Sequence, residues 1–200
     1  MEPRRVPAHP DRRRNHRPRR VQRPDPYAPG RFPVTKRLED FDVAASSIPK
    51  ATFDYLASLE WIRGKENTCL IGPAGTGKSH VLVALGVAAV EAGHKVRYFT
   101  AAELVETLYR ALADNSVGKV IDNLLRNDLI ICDELGFAPL DDTGAQLLFR
   151  FVAAAYERRA LGIGSHWPFE SWGRFLPEHT TAVSMLDNRS RNGFVCFWPG

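Results

Sequence analysis

The run GPAGTGKS, Gly72 to Ser79, constrains this chain more than any other stretch in it. It fits the pattern G-x-x-x-x-G-K-[ST] without a mismatch. That pattern carries physical meaning only when a strand enters it and a helix leaves it. Both are present: TCLIG (68–72) is a short apolar run, and Lys78 to Ala92 is a strongly apolar helix with Val81, Leu82, Leu85 and Val87, ended by Gly93 just past its last turn. In such a loop the glycines let backbone N–H groups turn inward as an anion nest. The positive end of the following helix adds to the attraction. The candidate nucleotide contacts are therefore Gly72, Pro73, Ala74, Gly75, Thr76, Gly77, Lys78 and Ser79, with His80 adjoining. Lys78 is expected to reach the β- and γ-phosphate oxygens of ATP, and Ser79 to ligate Mg2+.

DLIICDE (128–134) supplies the complementary part. Four apolar residues bury a strand, Asp133 emerges at its carboxyl end, and Glu134 follows. Asp133 is placed to hold Mg2+ through water, and Glu134 to orient or deprotonate an attacking water. A carboxylate that activates water suits hydrolysis. A small-molecule kinase needs an acceptor site and a lid, and neither is visible.

The remaining apolar runs set the architecture. KVRYFT (95–100) and LGIGS (161–165) read as strands. AAELVETLYRALAD is an amphipathic helix with Leu104, Leu108 and Leu112 on one face, and further helices are expected over Val117 to Arg126 and Asp142 to Arg158. This β-α-β-α rhythm predicts an α/β P-loop fold, a mostly parallel sheet with helices on both faces. Residues 32–66 form a lead-in with Phe32, Leu38 and Phe41 as anchors. It includes a short helix, Ile48 to Glu60, capped by Ser46 or Ser47, with Phe53, Leu56, Leu59 and Trp61 on one face.

Charge is unevenly spread. Residues 1–37 hold twelve Lys/Arg against three acids, a local +9, so the rest carries −5 within a total of +4. Residues 1–31, rich in Arg and Pro, cannot bury enough surface to offset their ordering and are expected to be a disordered arm. Such an arm suits DNA phosphates; a shifted reading frame through GC-rich DNA gives the same composition. In the core, Lys95, Arg97, Arg110, Lys119, Arg158 and Arg159 are either DNA contacts or solvated charges. The three cysteines, Cys69, Cys132 and Cys196, follow no metal-ligand spacing and suit buried thiols in a reducing cytosol. No apolar stretch approaches the roughly 18–20 residues that span a bilayer, and the N-terminus lacks a signal-peptide core. A cytoplasmic protein without membrane contact is expected.

RFPVTKRLEDFD, GPAGTGKSH, DELGFAPLDDTGAQLLF, YERR and SHWPFESWGRF together resemble the IstB-type ATP-binding helper proteins of bacterial insertion sequences, from about Arg31 to Leu186. That resemblance implies an AAA+ ATPase core over 67–187, related to DnaC-type helicase loaders. It implies an ATP-dependent homo-oligomer on double-stranded DNA and a partner transposase of the same insertion sequence. By the same resemblance, Lys78 and Glu134 are catalytic and Ser165-His166 stands where the family has Ser/Thr-Asn. His166 there either hydrogen-bonds the γ-phosphate or attacking water, or packs beside Trp167 and Pro168.

The tail, 188–200, departs from the family. The position of the family's arginine finger is Asn188, with Arg189 next and Arg191 beyond. A one-residue slip in a helix rotates a side chain by ~100°, which predicts weakened hydrolysis in trans. The family's closing strand is expected to be missing, leaving a sheet edge uncovered, as in a truncated or frameshifted copy. Two other readings share the motifs: a DnaC-type helicase loader, and a nucleotide-binding remnant without turnover.

Overall fold

The computed structural model describes residues 30–174 and 193–197. Five parallel strands form one sheet: β1 (Asn67–Ile71), β2 (Val96–Thr100), β3 (Leu129–Leu135), β4 (Ala160–Ser165) and β5 (Gly193–Phe197), in the order β2-β3-β4-β1-β5. The helices are α1 (Lys50–Ser58), α2 (Glu60–Arg63), α3 (Lys78–Glu91), α4 (Ala101–Ala113), α5 (Val117–Leu124) and α6 (Asp142–Ala155).

The sheet is sandwiched between two apolar layers, and strand parity assigns residues to them. On β3, Ile130 and Cys132 face the layer of α4, α5 and α6, while Leu129 and Ile131 face that of α1, α2 and α3. Both faces of β3 are covered, which is why it reads as an unbroken apolar run. Helix ends follow from side-chain chemistry. Thr100 and Glu103 close a reciprocal capping box on α4, and Asp141 caps α6 by accepting from the Gly144 N–H at 2.8 Å. Gly93 takes a left-handed φ of 89° just beyond α3, as its place in the sequence predicts.

Several expectations are corrected. The lead-in helix is two helices, broken where Leu59 adopts φ 60°. Neither Ser46 nor Ser47 caps it: Pro49 occupies that position, and the Ser46 hydroxyl accepts from Ile48 N–H one turn earlier. The turn at Leu59 still brings Leu56, Leu59 and Trp61 into the core, with the indole N–H of Trp61 donating to the Leu56 carbonyl at 3.0 Å. Leu112 does not share the buried face of Leu104 and Leu108 but is 46% exposed. At eight residues beyond Leu104 it has drifted about 80° around the helix. α5 and α6 stop at Leu124 and Ala155, short of Arg126 and Arg158. After α6 the chain turns back at Glu157 (φ 54°) so that β4 can begin at Ala160. The missing closing strand is also corrected: Gly193–Phe197 pairs with β1 along its whole length, from Asn67–Gly193 to Ile71–Phe197, so β1 is not an edge. The arm up to residue 29, and Asn188, Arg189 and Arg191, lie outside the described residues.

Candidate nucleotide site

In a parallel sheet every carboxyl end points the same way, so the segments after β1, β2, β3 and β4 share one rim. The register fixes their heights: Ile71 lies beside Ser165, and Thr100 beside Asp133. The glycine loop begins there, tied down by the Gly72 N–H donating to the Ser165 carbonyl at 3.1 Å.

Gly75 and Gly77 have φ of +83° and +91°, a region open to glycine at no steric cost. A Cβ on Gly75 would meet nothing within 4 Å, so the mouth of the loop is open. Gly77 is different: a Cβ there would stand 2.9 Å from the Phe41 ring, so the lead-in leans on the loop from behind. Pro73, Ala74 and Gly75 are exposed, and Thr76 donates its hydroxyl to the Pro73 carbonyl at 2.9 Å. Lys78 opens α3 and is buried, its ammonium donating to the Pro73 carbonyl at 2.6 Å. Burial pushes its pKa down, and Asp133 pulls it part of the way back. Ser79 follows with its side chain exposed. His80 faces the other way, toward the lead-in: its Nε2 is 3.3 Å from the Arg37 carbonyl and its ring 5.6 Å from that of Phe41.

Asp133 is 2% exposed. Its Oδ2 accepts from the Tyr98 hydroxyl at 3.0 Å and its Oδ1 from the Glu134 N–H at 2.8 Å. Burial, then the neighbouring Asp133, push the Tyr98 phenol far above its usual range, so it stays a donor. Glu134 is exposed at φ 60°, turned out of the strand line. At the end of β4 the Ser165 hydroxyl donates to the Leu135 carbonyl at 2.9 Å, joining the rims of β3 and β4. His166 is half-buried between the rings of Trp167 (5.5 Å) and Phe137 (6.2 Å). The residues singled out in the loop, at Asp133-Glu134 and at His166 thus lie on one rim, with His80 behind the loop.

Among the described residues no group of three His, Cys, Asp or Glu could enclose a metal ion. The Ser79 hydroxyl and Asp133 carboxylate are hard oxygen donors, too few for an all-protein cage. They fit Mg2+, which keeps waters and phosphate oxygens in its shell. Among the basic candidates, Arg97 lays its guanidinium 4.7 Å over the Phe99 ring and Arg159 donates to the Leu125 carbonyl at 2.6 Å, so both have structural partners. No described helix is long and apolar enough to cross a membrane.

Two residues of the site escaped sequence reading. Tyr98 lies on the same face of the sheet as Asp133, which only the pairing register of β2 with β3 reveals. Gly164 looks like an ordinary strand glycine, yet a Cβ there would stand 2.1 Å from Asp133 Oδ1.

The chain is similar to several known proteins. The chain is 35% identical over 158 residues to the ATP-binding protein of insertion sequence IS21 from Pseudomonas aeruginosa, covering 78% of this chain and 60% of that protein. It is 32% identical over 166 residues to that of IS5376 from Geobacillus stearothermophilus, covering 82% and 66%. The chain thus spans less than two thirds of these relatives' length. Among solved structures, AMPPCP-bound DnaA from Aquifex aeolicus superposes with a TM-score of 0.66 at 18% identity, over 81% of this chain and 49% of that one. The DnaC helicase loader superposes with a TM-score of 0.63 at 13% identity, over 79% and 92%. These likenesses show a fold shared with DnaA and the DnaC helicase loader. The model of the IstB-like ATP-binding proteins matches residues 11–192, and with it the chain belongs to that family.

Proposed function

We propose that the chain binds and hydrolyses ATP as the helper of a transposase, acting on double-stranded DNA in insertion-sequence transposition. The observation that carries the reading is the shared rim: an open glycine loop with a buried lysine, a buried aspartate and an exposed glutamate on adjoining strand ends. Family membership supports ATP as the nucleotide and an insertion sequence as the setting.

Each residue then has a task. Backbone N–H groups of Gly75 to Lys78 grip the phosphates, and Lys78 exchanges its bond to the Pro73 carbonyl for the β- and γ-oxygens. Ser79 and Asp133 would hold Mg2+, which offsets phosphate charge. Glu134 turns an attacking water toward the γ-phosphate and takes its proton. The His166 ring, flanked by Phe137 and Trp167, stands where the family has Asn and would donate to the γ-phosphate. Oligomerisation would bring a neighbour's arginine to the same phosphate.

Phosphate release with and without duplex DNA tests the reading. DNA-stimulated turnover that disappears in Lys78→Ala supports it. ATP binding without turnover in either condition favours a nucleotide-binding remnant and overturns the hydrolytic role.

A further inference from the structure

We propose that Tyr98 is a positioning residue for the metal-facing carboxylate of Asp133, with Gly164 as its steric counterpart. The inference rests on the nucleotide reading given above, and it adds residues from the two strands that flank β3. Tyr98 on β2 holds Oδ2 at 3.0 Å, and the Glu134 N–H holds Oδ1 at 2.8 Å. Gly164 on β4 leaves the space in which Oδ1 lies: a Cβ there would stand 2.1 Å from Oδ1, 3.1 Å from Cγ and 2.9 Å from Leu82 Cδ1. The carboxylate is therefore laid across β4 toward α3 and the glycine loop, where Ser79 and Lys78 sit. With a side chain at 164 it cannot stay there. Without the Tyr98 hydroxyl it keeps the space and loses the anchor on Oδ2.

Tyr98 is itself held by the end of the arm, which is ordered at Gly30, and by the start of the lead-in. Its backbone N–H donates to the Gly30 carbonyl at 2.9 Å, and the Phe32 ring packs against it at 6.1 Å. The aromatic ring has little room to turn, so its hydroxyl is a fixed donor. A group that orients a metal-facing carboxylate typically changes metal affinity by about 10–100-fold when removed. Asp133 is expected to reach the ion through water, so the lower end applies.

The test uses the full chain and a fluorescent ATP analogue, titrated in EDTA and then against Mg2+. Tyr98→Phe should leave affinity in EDTA within about twofold, and raise the Mg2+ concentration for half-maximal tightening about tenfold. Excess Mg2+ should restore wild-type affinity, which a general loss of packing would not allow. Gly164→Ala should shift the Mg2+ requirement in the same direction, and serves as the second variant should Tyr98→Phe fold poorly. An unchanged Mg2+ requirement in these variants, with normal tightening in the wild type, overturns this proposal alone. A wild-type chain that binds the analogue with no Mg2+ dependence, or not at all, overturns the nucleotide reading and this proposal with it.

Discussion

Gly86 sits in the middle of α3, where alanine is worth about 1 kcal/mol more than glycine in helix propensity. On that ground Gly86→Ala should stabilise the protein, and the structure predicts the opposite. A Cβ at Gly86 would lie 2.5 and 2.7 Å from Cε1 and Cζ of Phe32, and 2.8 Å from Cδ1 of Ile131. The Ile131 methyl is the end of a flexible side chain and can give. The Phe32 ring is packed on Tyr98, and Gly30 just before it is bonded to β2, so the ring yields only if the lead-in lifts. Overpacking of this kind costs about 1–3 kcal/mol. Set against the propensity gain, the net loss is up to about 2 kcal/mol. In a Phe32→Ala background the ring is gone, and Gly86→Ala should then stabilise by about 0.5–1 kcal/mol. The substitution thus changes sign with its neighbour, and the coupling is about 1–3 kcal/mol. Urea unfolding of the four proteins, followed by far-ultraviolet circular dichroism, measures it. Equal stabilisation by Gly86→Ala in both backgrounds would refute the docking of Phe32 on α3.

Two further outcomes follow from buried polar groups. The Thr68 hydroxyl is fully buried and has no hydrogen-bond partner among the described residues. Thr68→Val should therefore raise stability by about 1 kcal/mol in urea unfolding, and a loss of that size would show that the hydroxyl is bonded after all. Burial, with Asp133 adding to it, pushes the Cys132 thiol from 9.0 up to about 12. The unfolded chain gives up this proton first, so its stabilising effect is whole below pH 9 and is lost as pH rises toward 12, by up to about 1.4 kcal/mol per pH unit. Urea midpoints from pH 8 to 11 should fall more steeply for the wild type than for Cys132→Ala; parallel curves would contradict the shift.

The sequence announced the rim better than what stands behind it. β1 to β4 fall within a residue or so of their apolar runs, because each run is short, buried on both faces and bounded by a motif or turn. Lys78, Asp133 and Glu134 were legible because the glycine pattern and the strand-ending acids demand a common edge. Leu112 misled because leucines at intervals of four drift around a helix with 3.6 residues per turn. The capping serines misled because a serine can serve a turn as readily as a helix end, as Ser46 does. Tyr98 and Gly164 were out of reach for another reason. Their importance lies in a carboxylate two or more dozen residues away, and only the sheet order β2-β3-β4 makes them its neighbours. β5 was equally hidden, since its pairing with β1 joins segments more than a hundred residues apart.

Under the proposed function, this rim grips ATP and Glu134 directs its cleavage. The most direct measurement is ATP binding and phosphate release side by side for the wild type, Lys78→Ala and Glu134→Gln. The wild type should bind tightly and turn over. Binding should weaken in Lys78→Ala, and in Glu134→Gln it should stay near the wild-type level with release lowered by about 100-fold or more. Unaltered turnover in Glu134→Gln, or unaltered binding in Lys78→Ala, would contradict that function.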